Sequence, residues 1–338
     1  MSSITGHSII DETPEPGGRA PLEGDNASTG RVGDKVFAFL STGAGVVVIA
    51  LVLAIGLFLL WQAIPALLKN NANFLTSSDW VTSPPGSMSF GIASLLWTTV
   101  ATSVVALVIA VPFSIAVALF LTHYAPKWLS RPGAALIDLL AAVPSIVYGL
   151  WGLLIVAPWS EPFQNFLADK LGWIPIFAPV TGVSGGTTIF LVGIVLAIMI
   201  LPIITAVSRE VFAQTPTTHI EGALALGATK WEMIRTAVLP FGKPGVISAS
   251  MLGLGRALGE TIAVLYIVSS LPVGAKWTAS LFNGGETFAS KIANDVSEFG
   301  TPLQTGAYIA AGLVLFILTF LVNAIARIII ERRKAFSE

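Results

Sequence analysis

Long apolar runs alternate with polar stretches along this chain, and the runs set its architecture. Six of them stand out, at about 36–64, 94–122, 133–157, 187–208, 245–271 and 303–330. A helix rises ~1.5 Å per residue, so ~20 apolar residues span a hydrocarbon core of ~30 Å. Each run meets that length. None shows the two-residue alternation over ten-residue stretches that a membrane β-barrel needs. The pattern predicts an all-α membrane protein with six transmembrane helices. The first run follows about 35 polar residues and exceeds the apolar stretch of a cleaved leader, ~7–15 residues, so it reads as a helix that stays.

The polar stretches divide the rest. Residues 1–33 combine acids, Pro14, Pro16, Pro21 and repeated glycines, too little apolar surface to fold, and are expected to form a disordered cytoplasmic tail. Residues 34–334 form the membrane domain, with one substantial polar loop at 209–243. With the N-terminus inside, 13 of the 18 Lys and Arg fall on the cytoplasmic side, among them Lys127, Arg131, Arg209, Lys230, Arg332, Arg333 and Lys334. Lys69, Lys170, Lys276 and Lys291 fall outside, and Arg256 lies within the fifth run. Both termini are therefore expected in the cytoplasm. Trp61, Trp97, Trp128 and Trp159 near predicted helix ends agree. Segments 65–93, 158–186 and 272–302, each about 30 residues with Pro and Gly turns, then face outward. They are long enough to touch a partner and too short to form a receptor domain.

Composition removes several function classes. The chain is 54% hydrophobic and 11% charged, and its charges nearly cancel, so no basic field points to nucleic acid. It has no cysteine, which excludes disulfides, a thiolate zinc site and a catalytic thiol. His7, His123 and His219 are too scattered for a histidine metal site, so no metal or other cofactor is expected in this chain. Lipid is the expected surroundings.

The loop at 209–243 carries two capping-box patterns, Thr218 with Glu221 and Thr229 with Glu232. Gly227 suits the left-handed residue that ends a first short helix, and Pro240 is expected to stop a second. Such a hairpin would display Leu224, Leu226, Trp231 and Ile234. Glu221-Gly222-Ala223, then Gly227, then Leu239-Pro240 resembles the E-A-A…G…L-P loop of bacterial ABC importer permeases, with Gly222 where Ala is usual. The resemblance implies the type I importer permease (MetI-like) fold. It also implies that Glu221, Gly222, Ala223, Gly227, Leu239 and Pro240 dock on a cytoplasmic ATPase. A rigid capped rod transmits ATPase motion, whereas a floppy loop would absorb it. No G-x-x-x-x-G-K-[ST] phosphate loop occurs, because Gly242-Lys243 is followed by Pro244, so the energy must come from another chain.

The fifth run contains Gly253-Leu254-Gly255-Arg256-Ala257-Leu258-Gly259-Glu260-Thr261. A central membrane arginine costs ~2.5–3.5 kcal/mol even on insertion scales, so it reads as functional. A guanidinium fork matches a tetrahedral oxyanion. Glu260 at i+4 is expected on the same face as its resting counter-charge, with the glycines leaving room beside the pair. Asp138 is expected near the start of the third helix in a structural role. The stretch G-R-A-L-G-E-T resembles the permeases of phosphate ABC importers, the PstC class in particular, over about 34–334. That resemblance implies a second permease (PstA-like), two ATPases (PstB-like) that bind the ATP, and an external phosphate-binding protein (PstS-like). It also implies the bacterial plasma membrane. Arg256 and Glu260 then belong to the phosphate pathway. The residues alone do not separate phosphate from another oxyanion.

Two other classes fit less well. Gly182-Val183-Ser184-Gly185 matches the G-x-S-G of rhomboid proteases, but no histidine base lies in a predicted membrane run. A secondary anion transporter should have interrupted helices at matching places in two halves. Pro112 and Pro144 read as packing kinks, and the later helices show no evident counterpart.

Overall fold

A computed structural model describes residues 32–180, 183, 185–270 and 277–334. The predicted tail lies outside these residues but for its last two, and so do Thr181, Gly182, Ser184 and Lys276. Among the described residues, six helices are long and apolar enough to cross a membrane: Gly33–Leu68, Ala93–Tyr124, Ser145–Leu171, Ile189–Ala213, Lys230–Leu258 and Pro302–Ile328. In chain order the elements are α1 (Val32–Leu68), a small hairpin of β1 (Trp80–Val81) and β2 (Ser89–Phe90), α2 (Ala93–Leu119) and α3 (Lys127–Ala141). There follow α4 (Ser145–Trp151), α5 (Ala157–Leu171), α6 (Ile189–Ala213), α7 (Thr217–Ala225) and α8 (Lys230–Met233). The chain continues through α9 (Leu239–Leu258), α10 (Ile262–Ile267), α11 (Phe288–Asn294) and α12 (Pro302–Lys334). Single π-helical turns at Phe120–Tyr124, Gly152–Val156 and Ile234–Val238 join α2 to the loop before α3, α4 to α5, and α8 to α9.

The described residues divide into two compact units, one up to Ala54 and one from Ile55 onward. In the first, the stretch of α1 up to Ala54 exposes Phe37, Phe39, Leu40 and Val46 and buries none of its described side chains, as an all-round apolar helix in lipid should. In the second, α6 is the central helix, packed between α2 and α9, with Leu191, Val195, Ile200 and Ile204 fully buried. A Cβ on Gly253 would come within 2.8 Å of Ile204, and one on Gly245 within 2.5 Å of Val211. Small residues on α9 thus let its backbone approach α6 closely, the usual basis of packing where lipid removes the hydrophobic drive.

The third and fifth membrane helices differ from the sequence expectation. The third run was expected at 133–157 as one helix. Instead α3 ends at Ala141 and the spanning helix starts at Ser145, with Pro144 at its cap. Proline lacks an N–H and pushes the preceding residue out of helical geometry, so Pro144 is a break and not a kink. Pro112, by contrast, sits inside the unbroken α2. Asp138 consequently lies in the last turn of α3, not near a helix start, and pairs with Arg209 at 3.6 Å.

The fifth helix starts earlier than 245 and breaks sooner than 271. From Lys230 it runs through Pro240 without stopping, because the π turn before Leu239 takes up a proline that has no N–H to donate. It then ends at Leu258 and resumes as α10 after Gly259-Glu260-Thr261. The interrupted third helix therefore has a counterpart in the fifth, and their pieces α4 and α10 pack together.

Candidate functional site

The hairpin between the fourth and fifth spans closes much as its sequence suggests. Gly227 has φ +83, and Ala228 N–H donates to Ala223 O (3.2 Å) while Gly227 N–H donates to Leu224 O (3.0 Å). These are the paired bonds of a Schellman cap, which needs a left-handed residue at that place. Thr229 and Glu232 form the expected capping box: Glu232 N–H donates to Thr229 Oγ1 (3.3 Å) and Thr229 N–H donates to Glu232 Oε2 (2.8 Å). Thr218 does not cap α7. Pro216 occupies the cap without a side-chain bond, since its backbone already presets the helix entry.

Packing sorts the hairpin into two faces. Ile220, Ala223 and Leu239 pack on a buried cluster that includes Phe212, Met233, Ile234 and Val238. Ile234, expected on display, is fully buried there. Leu224, Leu226 and Trp231 remain exposed, with Leu226 at 91%, beside exposed Glu221 and Gly222. A rigid, capped element thus presents a small apolar face. A Cβ at Gly222 would meet nothing within 4 Å. Gly222→Ala is therefore expected to stiffen α7 by about 0.5–1 kcal/mol. Slower proteolysis of the loop with unchanged uptake is the corresponding measurement.

Inside the membrane, Arg256 lies on the last turn of α9. It is exposed and borders a cavity of about 600 Å³ lined also by Ile203, Ser248, Met251, Leu252, Gly255 and Asn323. A Cβ at Gly255 would meet nothing within 4 Å, so the space beside the guanidinium is open. Glu260 is not there. It is 8% exposed, and its Oε1 accepts from Ala263 N–H at 3.1 Å. The expected ion pair between Arg256 and Glu260 is not formed, because the i+4 relation holds only along an unbroken helix and α9 ends between the two. Ser248 and Asn323 were not singled out in the sequence. The available signal was a polar residue in each of two apolar runs, and only the packing of α9 beside α12 brings them to one cavity.

The opposite end of α12 carries a polar network. Lys291 bridges Glu286 (3.0 Å) and Asp295 (2.7 Å), and the single O–H of Tyr308 is shared between Glu298 Oε2 (2.6 Å) and Asp295 Oδ2 (3.0 Å). Thr82, just past β1, also donates to Glu298 Oε2 (3.2 Å). Burial works against the Lys291 charge, but hydrogen bonds to Asp295 and Glu286 outweigh it and hold this ammonium above the usual lysine range. Beside the network lies a groove of about 500 Å³ lined by Trp80, Thr82, Ser83, Ser297, Glu298 and Gln304.

Residues 110–335 match the profile of the family described as binding-protein-dependent transport system inner membrane component. The chain belongs to this family. It is a multi-pass membrane permease of the ABC importer type. The phosphate transport system permease protein PstC 2 of Mycobacterium tuberculosis (strain ATCC 25618 / H37Rv) is 55% identical over 300 residues, covering 88% of this chain and 92% of that protein. The phosphate transport system permease protein PstC of Mycobacterium leprae (strain TN) is 57% identical over 274 residues, 81% of this chain and 85% of that one. Among solved structures, an inward-facing MetNI methionine ABC transporter aligns over 72% of this chain and 95% of that chain, at 17% identity and a TM-score of 0.47.

Proposed function

We propose that this chain is the phosphate-conducting permease of an ATP-driven importer in a bacterial plasma membrane. One observation carries the reading: an arginine inside the fifth membrane helix, with no carboxylate partner among the described residues, borders an open cavity. Such a charge lowers the barrier that hydrocarbon sets for an oxyanion. Ser248 and Asn323 supply polar atoms to the same space, and the mycobacterial relatives are named as phosphate permeases. The test is uptake of labelled phosphate by vesicles holding the whole complex, with ATP inside and the phosphate-binding protein outside. Uptake of sulfate in preference to phosphate would assign a different oxyanion.

The same reading gives the hairpin its role. Glu221, Gly222, Ala223 and Gly227 build a rod that docks on one ATPase subunit, with Leu224, Leu226 and Trp231 as its apolar contact. Leu239 and Pro240 join that rod to α9, so ATPase motion reaches the helix that carries Arg256. A second permease of the same fold completes the pathway, and ATP is bound by the ATPases.

The outer groove is the seat for the external binding protein. Among the described residues, Glu298 receives only neutral donors, Tyr308 and Thr82, so its charge is left for a basic group of the partner. A cysteine at Ser297 in this cysteine-free chain is expected to crosslink to the binding protein, and Glu298→Lys to weaken that crosslink. Equal crosslinking in both proteins would remove Glu298 from the contact.

A further inference from the structure

Breaking a helix inside a membrane leaves backbone N–H groups that lipid cannot satisfy. At the break after α9, Leu265 N–H finds Thr261 O (3.0 Å) and Ala263 N–H finds the Glu260 carboxylate (3.1 Å). Glu260 is buried, and it is absent from the lining of the cavity that Arg256 borders. Its acceptor is spent on the start of α10.

The far end of α10 is tied as firmly. Ser269 N–H donates to Thr187 O (3.2 Å), and Gly285 N–H donates to Ser269 O (3.0 Å). The segment 280–285 is buried throughout and sits on the start of α6. There Ile189 N–H donates to Asn283 O (3.0 Å), and Phe190 N–H donates to Leu281 O (2.8 Å). Thr98 of α2 lies so close to Gly285 that a Cβ there would come within 2.7 Å of its hydroxyl. This irregular segment therefore fills the space between α2 and α6 at the outer end, and α10 links it to the helix break.

We infer that Glu260 is a positioning residue: its carboxylate caps α10, and through α10 it holds segment 280–285 closed over the outer end of the bundle. It is not the resting counter-charge of Arg256. The inference rests on the transport reading for its biological sense, but its geometry stands apart from the transported ion. The role needs an acceptor oxygen and not a negative charge. Glutamine should therefore serve, whereas alanine or methionine should not.

The experiment reads the outer segment directly. Leu281→Cys places a single, buried thiol in a cysteine-free chain, and its labelling by a membrane-impermeant maleimide is followed in the purified whole complex without ATP. Glu260→Ala is expected to speed labelling about tenfold, the scale of losing one helix cap in a locally opening segment. Glu260→Met, which keeps the bulk but has no acceptor, should behave likewise should the alanine variant fail to assemble. Glu260→Gln and Arg256→Gln should label at the parent rate. Unchanged labelling in the alanine and methionine variants overturns the capping role. So does fast labelling in Glu260→Gln or in Arg256→Gln, because a counter-charge would respond to those two. Failure of the parent complex to take up phosphate would instead defeat the functional reading and leave the labelling result intact.

Discussion

Arg256→Gln is expected to cut phosphate uptake severely while the complex still assembles and still reaches the membrane. Glutamine keeps hydrogen-bonding capacity and approximate length but loses the charge and the guanidinium fork. A hydrogen bond to a charged group contributes about 1.5–3 kcal/mol, and each ~1.4 kcal/mol is a factor of ten in rate, so uptake should fall by up to about a hundredfold. Folding should survive, because Arg256 is exposed and, among the described residues, holds no ion pair that its loss would orphan. Exchanging the two residues, Arg256→Glu with Glu260→Arg, should rescue nothing. It moves the positive charge to a buried position beyond the end of α9 and removes the acceptor that Ala263 uses. Initial uptake rates in vesicles, normalised to the amount of assembled complex, decide the matter. Near-parental uptake by Arg256→Gln would remove the arginine from the pathway.

Gly227→Val should uncouple the machine without unfolding it. The site is unusually clean, since a Cβ at Gly227 meets nothing within 4 Å and only the backbone angle resists a side chain. At φ +83 an L-residue is strained by about 1–2 kcal/mol, and a β-branched one by more. Gly227→Ala should therefore reduce coupling modestly, and Gly227→Val severely. The Schellman cap would open and turn the exposed Leu226 and Trp231 away from their docking geometry. The measurements are copurification of the ATPase and stimulation of its turnover by the loaded binding protein. Both should drop in parallel, with the membrane helices intact by thermal melting. Normal stimulation in Gly227→Val would mean that the left-handed turn does not matter to coupling.

Much of this was readable from local rules. Chain crossing depends on length and apolarity alone, so all six spans appear in the sequence. The capping box at Thr229 and the left-handed Gly227 involve partners within five residues, so they too are legible. The failures have the same kind of cause throughout. Ile234 looked like a surface residue of a short hairpin until the fold laid it against Phe212 and Val238. Pro240 looked like a stop until a π turn absorbed it. Thr218 lost its cap to a proline two residues earlier.

The site shows the division most clearly. The sequence alone determined that an arginine must lie within the fifth apolar run, since hydropathy places the run and residue order places Arg256 in it. It also determined that a capped loop follows the fourth helix and that no nucleotide-binding loop accompanies it. Only the tertiary structure decided what Arg256 faces. Helix periodicity put Glu260 beside it, but periodicity fails where a helix breaks. That break depends on a contest between the α-helical hydrogen bond and a side-chain acceptor, in a place where α4 packs against α10. Ser248 and Asn323 meet at one cavity for a related reason. They are 75 positions apart in number, and the close approach of α9, α6 and α12 is a property of packed surfaces that no single helix encodes.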